Sequence, residues 1–320
     1  MLTGQGYTSL CVSNFKHSSV IISDEVQTAL DEGRGVVALE TTIVVHGLPA
    51  PTNIEVAALC EDAVRESGSV PSTVGVLDGK VIVGMSKQEL ERLAAPSLEV
   101  AKLSARDIGL AIGLSQDGAT TVAGTIAVAQ RVGISVMATG GIGGVHRDAH
   151  NSFDESADLT ALSRTSVLVV ASGVKSILDI GATLERLDTL GVPVVVYGTT
   201  KFPGFYRSDS GFEIDWSVAT ARGAASAFLA HREFSPTGML LANPVDSEQQ
   251  LDAELHEQAL ESAFDAARKL GVTGRDVTPA LLAEFSRFTA GLSVAVNRDL
   301  VIANAKLAGE VADAMSQSSP

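Results

Sequence analysis

The chain has 320 residues, 45% of them hydrophobic and only 4% aromatic, so a sizeable core built mainly from Val, Leu, Ile and Ala is expected. Such a core suits a mostly parallel sheet covered by helices. The formal net charge of −15 argues against non-specific nucleic-acid or anionic-membrane binding, which needs basic surface, but leaves room for a phosphorylated substrate held by a glycine loop and a few cations.

Cys11 and Cys60 stand apart, with neither CxxC nor zinc spacing. No apolar run reaches the roughly 18 residues of a membrane span, and the first residues lack the build of a signal peptide. The expectation is a cytoplasmic protein. Residues 1–20 are patternless and read as a loose arm, and residues 21–315 as one domain.

Ser23-Asp24-Glu25 predicts a short helix ending near Gly33. Residues 35–45 read as an apolar strand interrupted by Glu40, Thr41 and Thr42. A carboxyl inside a buried strand is costly unless paired or protonated, so Glu40 is either a strand-end group facing solvent or a site acid. The loop from His46 to Asn53 should lead into a helix over 54–67. Residues 73–83 predict a hairpin about Asp78-Gly79. Ser86 and Glu89 make a capping-box pattern. Lys102 and Arg106 are cations in a region short of them. They are either solvated or positioned to meet a phosphate or a carboxylate. The small residues from Gly118 to Gly124 open a helix over 120–131, either to admit a ligand or to pack on the sheet.

The stretch 134–179 organises the rest. Its apolar runs, 134–138 and 167–171, read as buried parallel strands. Between them lie Gly140, Gly141, Gly143 and Gly144, the histidines His146 and His150, and the acids Asp154, Glu155 and Asp158. Lys175 follows the second run, at the start of a predicted helix over 176–190. Open α/β sheets bind ligands at strand C-terminal ends, which makes this stretch the site candidate. Further strands are expected at 192–197 and 238–245, and helices at 217–228, 247–270, 278–289 and 293–315. The loop 198–207 either lines a pocket or is anchored by Phe202 and Phe205. The architecture expected is a three-layer α/β/α sandwich with a mostly parallel central sheet and a small β-hairpin excursion near residues 70–95.

Asp154 and Asp158 are four apart and would share one face of a helical turn, an arrangement that suits a hard cation such as Mg²⁺ or Mn²⁺. The histidines lack the HExxH pattern of zinc proteases. Lys175 stands just past a buried strand. A free lysine, with a pKa of about 10.4, is neutral in about one molecule in 2,500 at pH 7. Enzymes that use a lysine nucleophile raise that fraction by burial or a neighbouring cation.

ALETTIVVHGLPAPTN, KLSARD, GATTVAGT, ATGGIGGVHR, SFDESADL, ASGVKSILD and LANP, in this order and spacing, closely resemble the pseudouridine-5′-phosphate glycosidase (pseudouridylate synthase) family, which has the indigoidine-synthase-A-like fold. The resemblance runs from about Ser23 to about Leu307. It implies reversible cleavage of the C–C glycosidic bond of pseudouridine 5′-phosphate to uracil and ribose 5-phosphate. It also implies a divalent metal, usually Mn²⁺, and a homotrimer. By motif match it makes Glu40 the proton donor and Lys175 the nucleophile that forms a Schiff base with ring-opened ribose. Lys102, Val122, Ser156, Ala157 and Asp158 become substrate contacts and Asp154 the metal-linked position, with the division between Asp154 and Asp158 left open.

Two other readings accompany this one. A Schiff-base aldolase or sugar-phosphate lyase would use Lys175 without uracil. A non-catalytic sugar-phosphate-binding relative would keep the pocket alone. A dinucleotide enzyme is disfavoured, because GGIGG lacks the GxGxxG register and has no acid about 20 positions on at a strand end.

Overall fold

The computed structural model describes residues 19–271 and 277–318. Residues 1–18 of the expected arm, with Cys11, lie outside the described residues, as do residues 272–276.

The strands are β1 (Val20–Ile22), β2 (Val36–Glu40), β3 (Val70–Leu77), β4 (Lys80–Val83), β5 (Ala101–Leu103), β6 (Gly118–Thr120), β7 (Val136–Ala138), β8 (Val145–His146), β9 (Leu168–Ala171), β10 (Leu178–Asp179), β11 (Val194–Tyr197), β12 (Ser217–Val218) and β13 (Met239–Ala242). The helices are α1 (Asp24–Asp31), α2 (Thr52–Glu66), α3 (Lys87–Leu93), α4 (Ile108–Gly113), α5 (Val122–Val132), α6 (Ala149–Ser152), α7 (Ala157–Leu162), α8 (Ile180–Thr189), α9 (Ala221–Phe234), α10 (Ala253–Leu270), α11 (Val277–Phe288) and α12 (Leu292–Ser316).

The main sheet runs β1-β4-β3-β2-β7-β9-β13-β11-β12, with β6 also on β3 and β5 on β6. From β3 to β12 along this path every pairing is parallel. Every residue of β2, β3, β7, β9 and β13 is buried, because helices cover both faces and β-branched and aliphatic side chains fill them. The three-layer α/β/α expectation therefore holds. The hairpin forms about Asp78 and Gly79, both at positive φ, and its strands continue the central sheet toward its edge.

Helix α12 lies across β2, β7 and β9 and packs on α2 and α9, which explains its many buried residues and its Ala-rich sequence. The smaller helix α5 covers β2, β3 and β7, with α7 beside it. Among the described residues no helix is long and apolar enough to cross a membrane.

Several expected boundaries shift. The apolar run after Gly35 is a strand only as far as Glu40, and Ile43–Gly47 winds into one π-helical turn. Thr41 ends the strand by donating its hydroxyl to the Val74 carbonyl and accepting the Thr120 amide. Helix α2 starts at Thr52, two residues before the expected 54, and Asn53 on its first turn donates back to the Val44 carbonyl. Lys175 does not open a helix. Asp179 caps α8, which begins at Ile180, and the residues between are a turn and the short strand β10. Asp154 and Asp158 do not share a helical turn, since α7 begins only at Ala157. Residues 217–218 form edge strand β12 and the helix follows from Ala221.

Candidate active site

β2, β7 and β9 are neighbours in register, with Leu39 beside Ala138 and Ala138 beside Val170. Their next few residues therefore emerge together at one end of the sheet. A cavity of about 430 Å³ opens there. All eight residues singled out from the sequence line it: Glu40, Lys102, Val122, Asp154, Ser156, Ala157, Asp158 and Lys175.

Glu40 is the last residue of β2 and is 7% exposed. Its Oε1 accepts the Thr139 hydroxyl at 2.5 Å. Burial pushes its carboxyl above the usual range, against the opposing charge of Lys175 and the Thr139 hydrogen bond; Asp158 pushes the same way as burial and Lys102 opposes it. Of the two readings of Glu40, the buried acid holds and the solvent-facing strand end does not.

Lys175 is held by its backbone. Its amide donates to the Ile142 carbonyl at 3.2 Å, and its carbonyl accepts the Leu178 amide at 2.9 Å. The turn before it reverses at Gly173, at φ +76°. This ties the lysine to the glycine loop on one side and to β10 on the other.

Asp158, 5% exposed, bridges two elements. Its Oδ1 accepts the Ala123 amide in the first turn of α5 at 2.9 Å, and its Oδ2 accepts the Gly143 amide at 2.8 Å. A Cβ on Gly143 would lie 2.2 Å from Ser156 Oγ and 2.9 Å from Asp158 Oδ2, so only glycine permits this approach. Ser156 caps α7 by accepting the Asp158 amide. Gly124 meets the Leu103 carbonyl, 2.6 Å from where its Cβ would be, so that glycine serves packing on β5.

Asp154 differs from Asp158. It is partly exposed, and its Oδ2 lies 3.8 Å from His146 Nε2. The His146 imidazole is pushed below its ordinary value by burial, against the pull of Asp154 and with the help of Lys102. Among the described residues no group of three or more His, Cys, Asp or Glu side chains is gathered to hold a metal. One accessible carboxylate beside an imidazole is compatible with a Mg²⁺- or Mn²⁺-type ion that keeps most of its waters. Asp158, with both oxygens taken by amides, is the poorer ligand of the two.

Sequence reasoning missed Thr139, which carries the hydrogen bond to Glu40, and Ser104, Thr42 and Thr121, which also line the cavity. Thr139 directly precedes the glycine loop, at the end of a strand beside β2, and that position was the available signal. The loop 198–207 does not reach this cavity. Phe202 and Phe205 are buried, Phe205 packs against Gly141, and Tyr206 stacks on Phe285, so the loop acts as an anchor for the glycine turn.

The sequence profile of the family described as "Indigoidine synthase A like protein" matches residues 25–314. The chain is 53% identical to a pseudouridine-5′-phosphate glycosidase of Salinispora tropica over 290 residues, covering 90% of this chain and 89% of that one. It is 49% identical to one of Streptomyces griseus over 300 residues, 93% of each. Among solved structures, it resembles the prealnumycin C-glycosynthase AlnA in complex with ribulose 5-phosphate, at TM-score 0.86 and 39% identity, over 93% of this chain and 97% of that one. It also resembles an indigoidine synthase A-like protein of Thermotoga maritima, at TM-score 0.85 and 34% identity, over 95% and 99%.

Proposed function

Because the chain belongs to the indigoidine synthase A-like family, among relatives that are pseudouridine-5′-phosphate glycosidases, we propose that it reversibly cleaves the C–C glycosidic bond of pseudouridine 5′-phosphate to uracil and ribose 5-phosphate. The observation that carries the reading is a buried carboxyl, Glu40, facing Lys175 across one cavity that also holds Lys102.

Ordinary glycosidases protonate a leaving oxygen with one of two carboxylates. In a C-nucleoside the leaving atom is a ring carbon with no lone pair. The Lys175 nitrogen, once bonded to C1′, supplies a lone pair that can expel that carbon, and the protonated uracil ring receives the electrons. Glu40 gives its proton to the ribose ring oxygen as the Lys175 amine attacks C1′ and the C1′–O4′ bond opens. Attack leaves C1′ bonded to both the Lys175 nitrogen and uracil. The proton that this nitrogen sheds goes to uracil C5, and the nitrogen lone pair then forms the C1′=N iminium as the C1′–C5 bond breaks and its electron pair stays with uracil. Water then hydrolyses the imine and releases ribose 5-phosphate and the free lysine. Lys102 carries positive charge to the substrate's oxygens. Val122, Ser156, Ala157 and Asp158 shape the wall against which the sugar phosphate lies.

Asp154 is the position proposed for Mn²⁺. A bound cation would supply positive charge for the phosphate or orient a water. Removing the carboxylate in Asp154→Ala should weaken Mn²⁺ binding, read directly by the free-ion electron paramagnetic resonance signal. A cytoplasmic homotrimer completes the proposal, and light scattering of the purified chain would give three times the protomer mass.

The deciding experiment is borohydride trapping with ribose 5-phosphate and peptide mass mapping, with Lys175→Ala as control. A reduced adduct on the Lys175 peptide, together with uracil-dependent pseudouridine 5′-phosphate formation, is expected. An adduct without that product would point to an aldolase-type lyase. Sugar-phosphate binding without an adduct would overturn the role of Lys175.

A further inference from the structure

Behind Glu40, on the side of α2 and α12, lies a second and separate cavity. Its volume of about 20 Å³ is of a size for one water molecule. Its walls are mostly aliphatic, from Leu39, Val44, Val56 and Val301, yet Glu40, Thr139, Asn53 and Thr73 also line it. Thr73, on β3 beside β2, is 2% exposed. Its hydroxyl bonds to Glu61 Oε1 at 2.5 Å, and Glu61 is a half-buried carboxyl on α2. A carboxyl, a water-sized space, a hydroxyl and a second carboxyl thus follow one another from the active site toward the outside of α2.

We propose that this row is a proton path that recharges Glu40 from behind during turnover, with Glu61 as the outer donor and Thr73 as the relay. The proposal rests on Glu40 being the acid of the reaction. Once Glu40 has protonated the ribose ring oxygen it is a carboxylate, and the substrate and its products fill the front cavity. A rear path returns the proton without waiting for that cavity to empty. The balance is simple. The Thr73 hydroxyl, which donates to Glu61 Oε1 at rest, turns to the water and passes it its proton as Thr73 Oγ takes the Glu61 carboxyl proton, and the water passes one to Glu40. Glu61 then takes a proton from solvent, and hydrolysis of the protonated imine releases one on the active-site side, so the cycle is proton-neutral overall.

The chemistry of Glu61 suits the outer position. Burial pushes its carboxyl above the ordinary range, against the Thr73 hydrogen bond and Arg65, so it retains a proton closer to neutral pH than an exposed glutamate would. Thr73 and Glu61 touch neither of the reacting groups, so they are positioning residues that act through Glu40.

Transient kinetics separates this role from a structural one. In the holoenzyme with pseudouridine 5′-phosphate in excess, Thr73→Val and Glu61→Gln should leave the first turnover unchanged, because Glu40 begins protonated. They should slow later turnovers by about 10²-fold, the lower end of what general acid–base catalysis contributes. The readout is a burst of uracil followed by a slow phase, with an enlarged solvent deuterium isotope effect on the slow phase alone. The double variant should be no slower than either single one, and Thr73→Ser should restore the slow phase. Equal slowing of both phases, or no slowing of either, overturns the path. Glu40→Gln is the separate control. Loss of the first turnover supports Glu40 as the acid, and its retention overturns that reading whatever the other variants do.

Discussion

Glu40 and Asp158 are both buried carboxyl groups on one cavity wall, and their hydrogen bonds give them different work. Asp158 accepts two backbone amides and holds the start of α5 to the glycine loop. Replacing it with alanine leaves both amides without partners, at a cost of about 3 kcal/mol, since hydrogen bonds to charged groups are each worth about 1.5–3 kcal/mol. Urea denaturation of Asp158→Ala should show this as a lower midpoint with an unchanged slope. Glu40 accepts one hydroxyl and is otherwise desolvated. Its folded-state pKa lies above the ordinary 4.5, so its contribution to stability is full below about that pH and is lost as pH rises through the folded value. Glu40→Gln should therefore match the wild type in urea midpoint at pH 4 and exceed it at pH 8, while activity falls by about 10²–10⁴-fold. A midpoint difference that is independent of pH would remove burial as the cause. The carboxyl inside an apolar run made Glu40 legible as a candidate. Asp158 was legible as an acid of the site, through its spacing from Asp154, but its bracing role was not, because its partners are backbone amides 15 and 35 residues away, which no side-chain pattern encodes.

Elements were readable where one force dominated. The aliphatic strands β2, β9, β11 and β13 and the capped helices α1 and α3 follow from burial and local hydrogen bonding alone. The turn Ile43–Gly47 was not readable, because its isoleucine and valines have strand propensity and are bent by Thr41 reaching Val74 and Asn53 reaching Val44. Tertiary hydrogen bonds also explain why α12 belongs to the site. Asn304, fully buried on that helix, donates to the carbonyls of Thr139 and Gly140 and to the Ser172 hydroxyl, and accepts the Asn243 side-chain amide. One side chain thus ties the ends of β7, β9 and β13 together. Asn304→Ala strips these groups of their partner and should cost about 2–4 kcal/mol, given a penalty of about 1–3 kcal/mol for each buried group left unsatisfied. Because Thr139 and the glycine loop lose support, hydrogen exchange should rise at residues 139–144 more than in the hairpin. Equal protection in both regions would mean that α12 does not brace the site.

At the scale of the whole molecule, a chain of net charge −15 has to admit an anionic sugar phosphate. The cations that oppose this field sit at the cavity itself: Lys102, Arg106 and Lys175 line it. The two contributions act over different distances. The long-range field of the protein repels an approaching dianion, and salt screens it; the Debye length falls from about 30 Å at 0.01 M to about 8 Å at 0.15 M. The attraction inside the cavity acts at a few ångströms and is screened much less. Raising salt over that range should therefore increase kcat/KM for pseudouridine 5′-phosphate by about two- to three-fold, through the rate of encounter, whereas proteins that bind phosphate through a broad basic surface lose affinity. Arg106 is the most exposed of the three cations, with 83% of its side chain accessible, and so reaches furthest into the approach path. Arg106→Gln should lower kcat/KM at low salt and steepen its rise with salt, while kcat stays unchanged. If kcat/KM instead falls as salt is added, the local cations govern the approach as well as the binding, and the acidic surface has no influence on how substrate arrives.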